Sequence, residues 1–144
     1  MRLTRFTDYS LRVLMYVAAR PGRPVTIAEI AAAFAISESH LTKVVHHLGK
    51  RGWLTNLRGR GGGVTLGCPA TDINLGAVVR AAESEGALVE CFRSRGNRCV
   101  ITPVCALRGV LAQALDAFYA ALDGTSLSDL TRNRGQLQRA LGIA

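Results

Sequence analysis

No stretch of this chain is both long and free of charge. Its longest run without Asp, Glu, Lys or Arg, Gly61 to Thr71, is glycine-rich and far short of the roughly 18 apolar residues that span a bilayer. A membrane-spanning helix is therefore excluded, although 49% of the residues are hydrophobic. The opening Met1-Arg2-Leu3-Thr4-Arg5-Phe6-Thr7-Asp8 lacks the apolar run and small-residue cleavage site of a secretion signal. The four cysteines are thus expected in reducing cytoplasm, where stable disulfides are disfavoured. The glycine run at 59–63 lacks the closing Gly-Lys-Ser/Thr of a phosphate loop, and its order fails the dinucleotide fingerprint, so nucleotide binding is not expected. No substrate-pocket motif and no matched acid and base stand out, which argues against an enzyme or an electron carrier. Two large independent domains do not fit into 144 residues, though one domain with an oligomerisation element does.

Positive charge is abundant and unevenly placed. Residues 1–67 carry ten Lys/Arg against Asp8, Glu29 and Glu38, a net +7, whereas residues 68–144 carry eight against seven, a net +1. A basic half joined to a nearly neutral half predicts that a polyanion meets the first and that a different task falls to the second.

Periodicity divides the chain into elements. Leu3, Phe6, Ser10, Val13, Leu14 and Val17 recur near helical spacing until Pro21-Gly22-Arg23-Pro24 stops the helix. Thr26-Ile27-Ala28-Glu29 is a capping-box sequence, predicting a second helix over Ile27–Phe34. Ser37 can cap a third, whose Leu41, Val44, Val45 and Leu48 share one face. Two short helices joined by a tight turn form a helix-turn-helix. Trp53–Leu57 and Val64–Leu66 then read as strands around a basic, glycine-rich turn. After a short helix at Leu75–Ala82 and a polar segment to Arg98, a long helix begins near Pro103. Its stripe of Val104, Leu107, Leu111, Leu115, Phe118 and Leu122 is expected to pack on a second copy of the chain. A further short helix is expected within Thr125–Ile143. The predicted fold is mainly α with a small β-hairpin: a winged helix-turn-helix region over 1–68, and a cysteine-bearing loop with a dimerisation helix over 69–144.

A winged helix has the dimensions to place its third helix in a major groove and its hairpin on neighbouring backbone. The candidate DNA-contacting residues are Ser37, Ser39, His40, Thr42, Lys43 and His47 on the third helix. Arg58, Arg60, Gly61 and Gly62 are the candidates in the wing, where glycine lets backbone approach phosphate.

Cys91, Cys99 and Cys105 are separated by seven and five residues. On this spacing alone zinc, an iron–sulfur cluster, a redox pair and unrelated thiols all remain open. The first two lie in a polar loop. Cys105 is placed in the first turn of the long helix, where the dipole favours a thiolate, and Arg93, Arg95 and Arg98 offset the charge of several thiolates. Three cysteines leave a four-coordinate site one ligand short. Cys68, beside Pro69, reads as a small packing residue and as an alternative fourth ligand.

The opening Met1–Tyr9, the wing Arg58-Gly59-Arg60-Gly61-Gly62-Gly63-Val64-Thr65-Leu66-Gly67, and Cys99-Val100-Ile101-Thr102-Pro103-Val104-Cys105 together resemble the NsrR-type nitric-oxide-sensing repressors of the IscR-like winged-helix family. The resemblance implies a bacterial cytoplasmic homodimer on a near-palindromic double-stranded operator. It further implies an iron–sulfur cluster in each subunit, 4Fe-4S rather than 2Fe-2S or zinc, held by Cys91, Cys99 and Cys105, with Asp8 of the partner subunit as fourth ligand. The IscR branch uses a histidine shortly after the third cysteine, whereas here Ala106-Leu107-Arg108-Gly109 follows. The Cys91–Cys99 interval is longer than usual for these proteins. An iron- or redox-responsive cluster regulator and a zinc or thiol-switch repressor are the alternatives.

Overall fold

The computed structural model describes residues 2–83 and 87–143. Thr4 caps α1 (Arg5–Ala19), its hydroxyl accepting from the Thr7 amide at 3.2 Å. The capping box forms as its sequence dictates: the Glu29 amide donates to the Thr26 hydroxyl (3.1 Å) and the Thr26 amide donates to the Glu29 carboxylate (2.7 Å). This satisfies two of the donors left over at the start of α2 (Ile27–Phe34). Ala35 ends α2 in the left-handed region, at φ 52°, and the chain turns directly into α3 (Glu38–Lys50).

The wing is narrower than its sequence suggests at one end and wider at the other. Strands β1 (Leu54–Leu57) and β2 (Gly63–Leu66) are antiparallel, pairing Leu54 with Leu66 and Leu57 with Gly63. Trp53 stays outside β1 because its amide is taken by the Leu48 carbonyl at the end of α3 (3.1 Å). Gly63 joins β2. Val25 adds a single bridge on the far side of β2, exchanging backbone bonds with Val64 at 3.0 and 2.7 Å.

α4 (Leu75–Ala82) is followed by a 3₁₀ turn at Glu90–Phe92, a second at Thr102–Val104, and α5 (Ala106–Asp123). Pro103 and Val104 therefore lie in the turn before the long helix, and Cys105 is its N-cap rather than a first-turn residue. The C-terminal segment forms two short helices where one was expected, α6 (Leu127–Leu130) and α7 (Arg134–Ala140).

One core holds Val13, Leu14 and Val17 of α1, Ile30 of α2, Leu41, Val44 and Leu48 of α3, Leu54 and Val64 of the wing, Ile73, Val78 of α4, and Leu127 of α6. Burying each of the larger aliphatic side chains contributes roughly 1.5–3 kcal/mol. The division at residue 68 thus marks a change of charge, not of core. The Leu127 amide donates to the Ile73 carbonyl (2.9 Å) and Gln138 Nε2 to the Ala19 carbonyl (2.7 Å), fastening the last helices to the body.

The long helix α5 contributes nothing to this core. No residue along its 18 is buried, and it runs about 27 Å at 1.5 Å per residue. Its far end is clamped to the body. Arg80 of α4 forms a two-pronged ion pair with Asp123 (2.6 and 2.7 Å) and lies 4.2 Å from the centre of the Tyr119 ring, while Asn74 Nδ2 donates to the Asp123 carbonyl (2.7 Å). Its near end is open: Val104, Leu107 and Val110 are 84%, 62% and 60% exposed.

Candidate functional site

Two places on the molecule gather chemistry, and the sequence-derived candidates divide between them. The first is the outer face of α3 with the wing. Leu41, Val44, Val45 and Leu48 are buried, whereas Ser37, Ser39, His40, Thr42 and Lys43 are all exposed. The Ser37 hydroxyl lies 3.0 Å from His40 Nδ1 and 3.3 Å from the Ser39 hydroxyl, so the start of α3 presents a linked polar cluster. Arg58 and Arg60 project from the exposed wing tip. Gly59 and Gly61 sit at φ 97° and 77°, and a Cβ on Gly62 would lie 2.3 Å from the Leu57 carbonyl oxygen. Only glycine closes this turn.

His47 does not join that surface. Its ring meets Phe6 of α1 edge-on at 5.2 Å, and Nε2 is buried with no hydrogen-bond partner among the described residues. Position 47 is three residues after the buried Val44, so it flanks the packed face. Burial holds its pKa below the ordinary 6.5, and the charges of Arg51 and Lys50 push the same way. A folded-state pKa below the unfolded one means that the unfolded chain takes up the proton first. The stabilisation is complete above pH 6.5 and is lost as the pH falls below it. The unfolding midpoint is expected to drop as the pH goes from 7 to 5.5, and His47→Leu to drop less; parallel curves would show that this ring is not the group responsible.

In place of His47, α1 supplies two residues that sequence reading passed over. Arg5 and Tyr9 share a cleft of about 160 Å³ with Phe6, His40, Lys43 and Val44, and the Tyr9 and His40 rings are 6.3 Å apart. Their position beside α3 follows from the α1–α3 packing, which spacing along α1 alone does not reveal.

The second place is the base of α5. Cys91, Cys99 and Cys105 all line one cavity of about 220 Å³, with Leu107, Arg108 and Leu111 of α5 among its walls. Each cysteine is positioned by different means. Cys91 sits in the 3₁₀ turn. The Cys99 amide donates to Asn97 Oδ1 (3.0 Å), and its carbonyl accepts from the Thr102 hydroxyl (2.8 Å). Cys105 is the N-cap of α5, where the chain leaves the 3₁₀ turn at Thr102–Val104. Glu90 ties the loop together, its carboxylate accepting from the Arg98 amide at 2.6 Å. It also lines the cavity, although no motif in the sequence marks it.

All three thiols are half-buried. Among the described residues no three Cys, His, Asp or Glu side chains converge on a point that one metal ion would occupy. A cluster asks for less, because each cysteine binds a different iron. The donor set, three thiols around one hollow, fits a cluster better than a single zinc. Cys68 is not among the lining residues. It packs against the core, and burial, assisted by Asp72, raises its thiol pKa, which disfavours the thiolate a metal needs.

Asp8 is not in this cavity either. Its side chain is nearly half exposed on the first turn of α1 and engages Arg12 through both oxygens, at 2.9 and 2.8 Å. The same turn is tied to the end of α4: Glu83 accepts from the Thr4 amide (2.7 Å), the Thr4 hydroxyl (2.9 Å) and the Thr7 hydroxyl. Burial alone would raise the Glu83 carboxyl, but these hydrogen bonds outweigh it and hold the group below its usual value.

Comparison with known proteins places the whole chain. NsrR of Bacillus subtilis strain 168, an HTH-type transcriptional regulator, is 49% identical over 98% of this chain and 97% of its own length. The structure of CymR from B. subtilis, a global cysteine regulator, superposes with a TM-score of 0.73 at 27% identity, covering 90% of this chain and 95% of that one. IscR of T. potens superposes with a TM-score of 0.76 over 96% of this chain and 91% of that one; at 23% identity it speaks for the fold alone. None of these is an enzyme by name, and the winged-helix expectation holds. The family model for Rrf2, the iron-dependent transcriptional regulators, matches residues 3–133, and the chain belongs to that family.

Proposed function

We propose that this transcriptional regulator is a homodimeric repressor whose hold on a near-palindromic operator is set by an iron–sulfur cluster and released by nitric oxide. The observation that carries the reading is the gathering of Cys91, Cys99 and Cys105 around one cavity at the uncovered end of α5. These three thiolates would hold a cluster of the 4Fe-4S type, with Asp8 of the partner subunit as the fourth ligand. Such a cluster supplies iron, to which nitric oxide binds. Support for nitric oxide as the signal comes from the near-full-length likeness to NsrR.

The chain's own residues give the signal a route to DNA. A carboxylate is a harder ligand than a thiolate and the poorer match for cluster iron, so Asp8 would be the weakest of the four holding residues. Asp8 lies on the turn of α1 that carries Arg5 and Tyr9 against α3, and that Thr4 and Thr7 anchor to Glu83. A force on Asp8 therefore acts on the helix that backs the reading face. A dimer fits a near-palindrome only when its two recognition helices match the half-site spacing. Glu90 is a second source of a fourth ligand, favoured by its place in the cavity wall, although the Arg98 amide already engages one of its oxygens.

The testing experiment is an anaerobic titration of the purified protein with nitric oxide, following visible absorption and operator binding together. Absorption bleaching in step with loss of affinity is the expected result. A colourless protein that binds operator at every nitric oxide concentration overturns the reading of the cysteines and leaves the winged helix standing. At the wing, Arg60→Ala is expected to weaken binding to all sequences and to reduce the salt slope by about 1, through loss of one phosphate contact. An unchanged slope would remove Arg60 from the backbone contacts.

A further inference from the structure

Arginines without an acidic partner also gather away from both sites. Between the end of α1, the inner end of β2 and the last two helices is a cavity of about 370 Å³, whose walls include Arg20, Arg23, Thr65, Ser128, Thr131 and Arg134. That volume falls in the range of small-molecule sites. No acidic residue is in its wall. Arg23 is already matched, by Glu29 from outside the cavity. The other ion pairs among the described residues join Arg12 to Asp8, Arg80 to Asp123 and Arg132 to Asp129, so Arg20 and Arg134 have no carboxylate. Arg20 Nε is moreover buried and without a hydrogen-bond partner among the described residues. A buried, unsatisfied guanidinium N–H is costly, and a bound water or ion is among the partners that relieve such a group.

We propose that this cavity is a binding site for a small phosphoryl-bearing anion, held by Arg20 and Arg134. Two uncompensated guanidinium groups match the two negative charges of a phosphate monoester and most of the charge of pyrophosphate, and the guanidinium fork fits two oxygens of such a group at once. Thr65 and Ser128 bring hydroxyl groups to the same walls. The site joins the DNA-reading half to the C-terminal helices: Gln138 of α7 is bonded to the carbonyl of Ala19, the residue before Arg20. An anion bound there therefore fastens α7 and the wing to the end of α1. This inference does not depend on the cluster, and its test uses the protein whether or not a cluster is present.

The test is calorimetric titration of the full chain with inorganic pyrophosphate, at ionic strength held constant with sodium chloride. One saturable site per chain is expected, weakened at least tenfold by Arg20→Gln and by Arg134→Gln and unchanged by Arg132→Gln, whose guanidinium pairs with Asp129. Arg134 is exposed, so its variant remains informative even where Arg20→Gln disturbs the end of α1. Absence of saturable binding, or equal binding by Arg134→Gln and Arg132→Gln, overturns the proposal. Operator titrations with pyrophosphate at saturation then separate two sources of the phosphoryl group. Unchanged operator affinity identifies a free anion, and competition identifies a phosphate of the DNA backbone; either outcome keeps the site.

Discussion

Replacing Cys99 by alanine is expected to reduce operator binding to the level of non-specific DNA, a loss on the order of a thousandfold, while leaving a folded dimer. The two halves of that expectation have separate grounds. The thiol is one of three on the cavity wall, and two thiolates do not hold a cluster that needs four ligands. The loop, by contrast, is organised by backbone and neighbouring side chains. Asn97 accepts from the Cys99 amide, and Thr102 donates to its carbonyl; neither bond involves the sulfur. Cys68→Ala is the matched control, since that thiol packs against the core outside the cavity, and it should retain both colour and operator binding. Visible absorption, solution mass and fluorescence anisotropy at fixed salt read the three properties. Undiminished operator binding by colourless Cys99→Ala would sink the cluster-controlled reading.

The second large effect is expected from α5. Glutamates at both Leu107 and Val110 should convert the dimer to a monomer and weaken operator binding by on the order of 10²–10⁴, the advantage of engaging two half-sites at once. Leu107 and Val110 are three residues apart on one face, and both are mostly exposed. Val100, 91% exposed, and Ile101, 54% exposed, are further uncovered apolar side chains in the cysteine loop. Large exposed apolar side chains gathered at one end of a helix mark an interface, and in the homodimer proposed above a second copy covers them. Carboxylates placed inside such a contact lose hydration without gaining a partner. Circular dichroism should show the helix content kept, because the clamp of Arg80 on Asp123 and Tyr119 lies at the opposite end. A double variant that still sedimented as a dimer with full operator affinity would move the interface elsewhere.

Much of this architecture is legible in the residues, and what is not has definable reasons. The Thr26–Glu29 box and the Leu41, Val44, Val45, Leu48 face are local patterns, set by bonds and contacts within one helix, and they appear as read. The glycine-rich turn is equally local, since the positive φ values at Gly59 and Gly61 admit few other residues. Failures cluster where a distant partner decides. Trp53 leaves the strand because the carbonyl of Leu48 claims its amide, and Val25 gains a bridge because Val64 faces it. His47 turns inward because Phe6, forty-one positions earlier in the chain, offers its ring a surface. Arg5 and Tyr9 belong to the opening segment that carries the family resemblance and Glu90 to no motif, but only packing places the three at the two sites. Cys105 lies one step before the first turn of α5 because Pro103 belongs to a 3₁₀ turn that precedes the α-helix, and proline at a helix start does not distinguish the two.

The return of Leu127 to a core built mainly from residues 13–79 has a bearing on how the protein is made. During synthesis the chain emerges N-terminus first, so the cysteine loop and α5 leave the ribosome before the residue that completes the core of the DNA-reading body. For that interval a nascent chain displays the open apolar end of α5 while its body is still unsealed. Were two chains to pair through that helix, as the proposed dimer requires, pairing could precede the final closure of either body, and one leucine near the end of the chain would set the order of the two events.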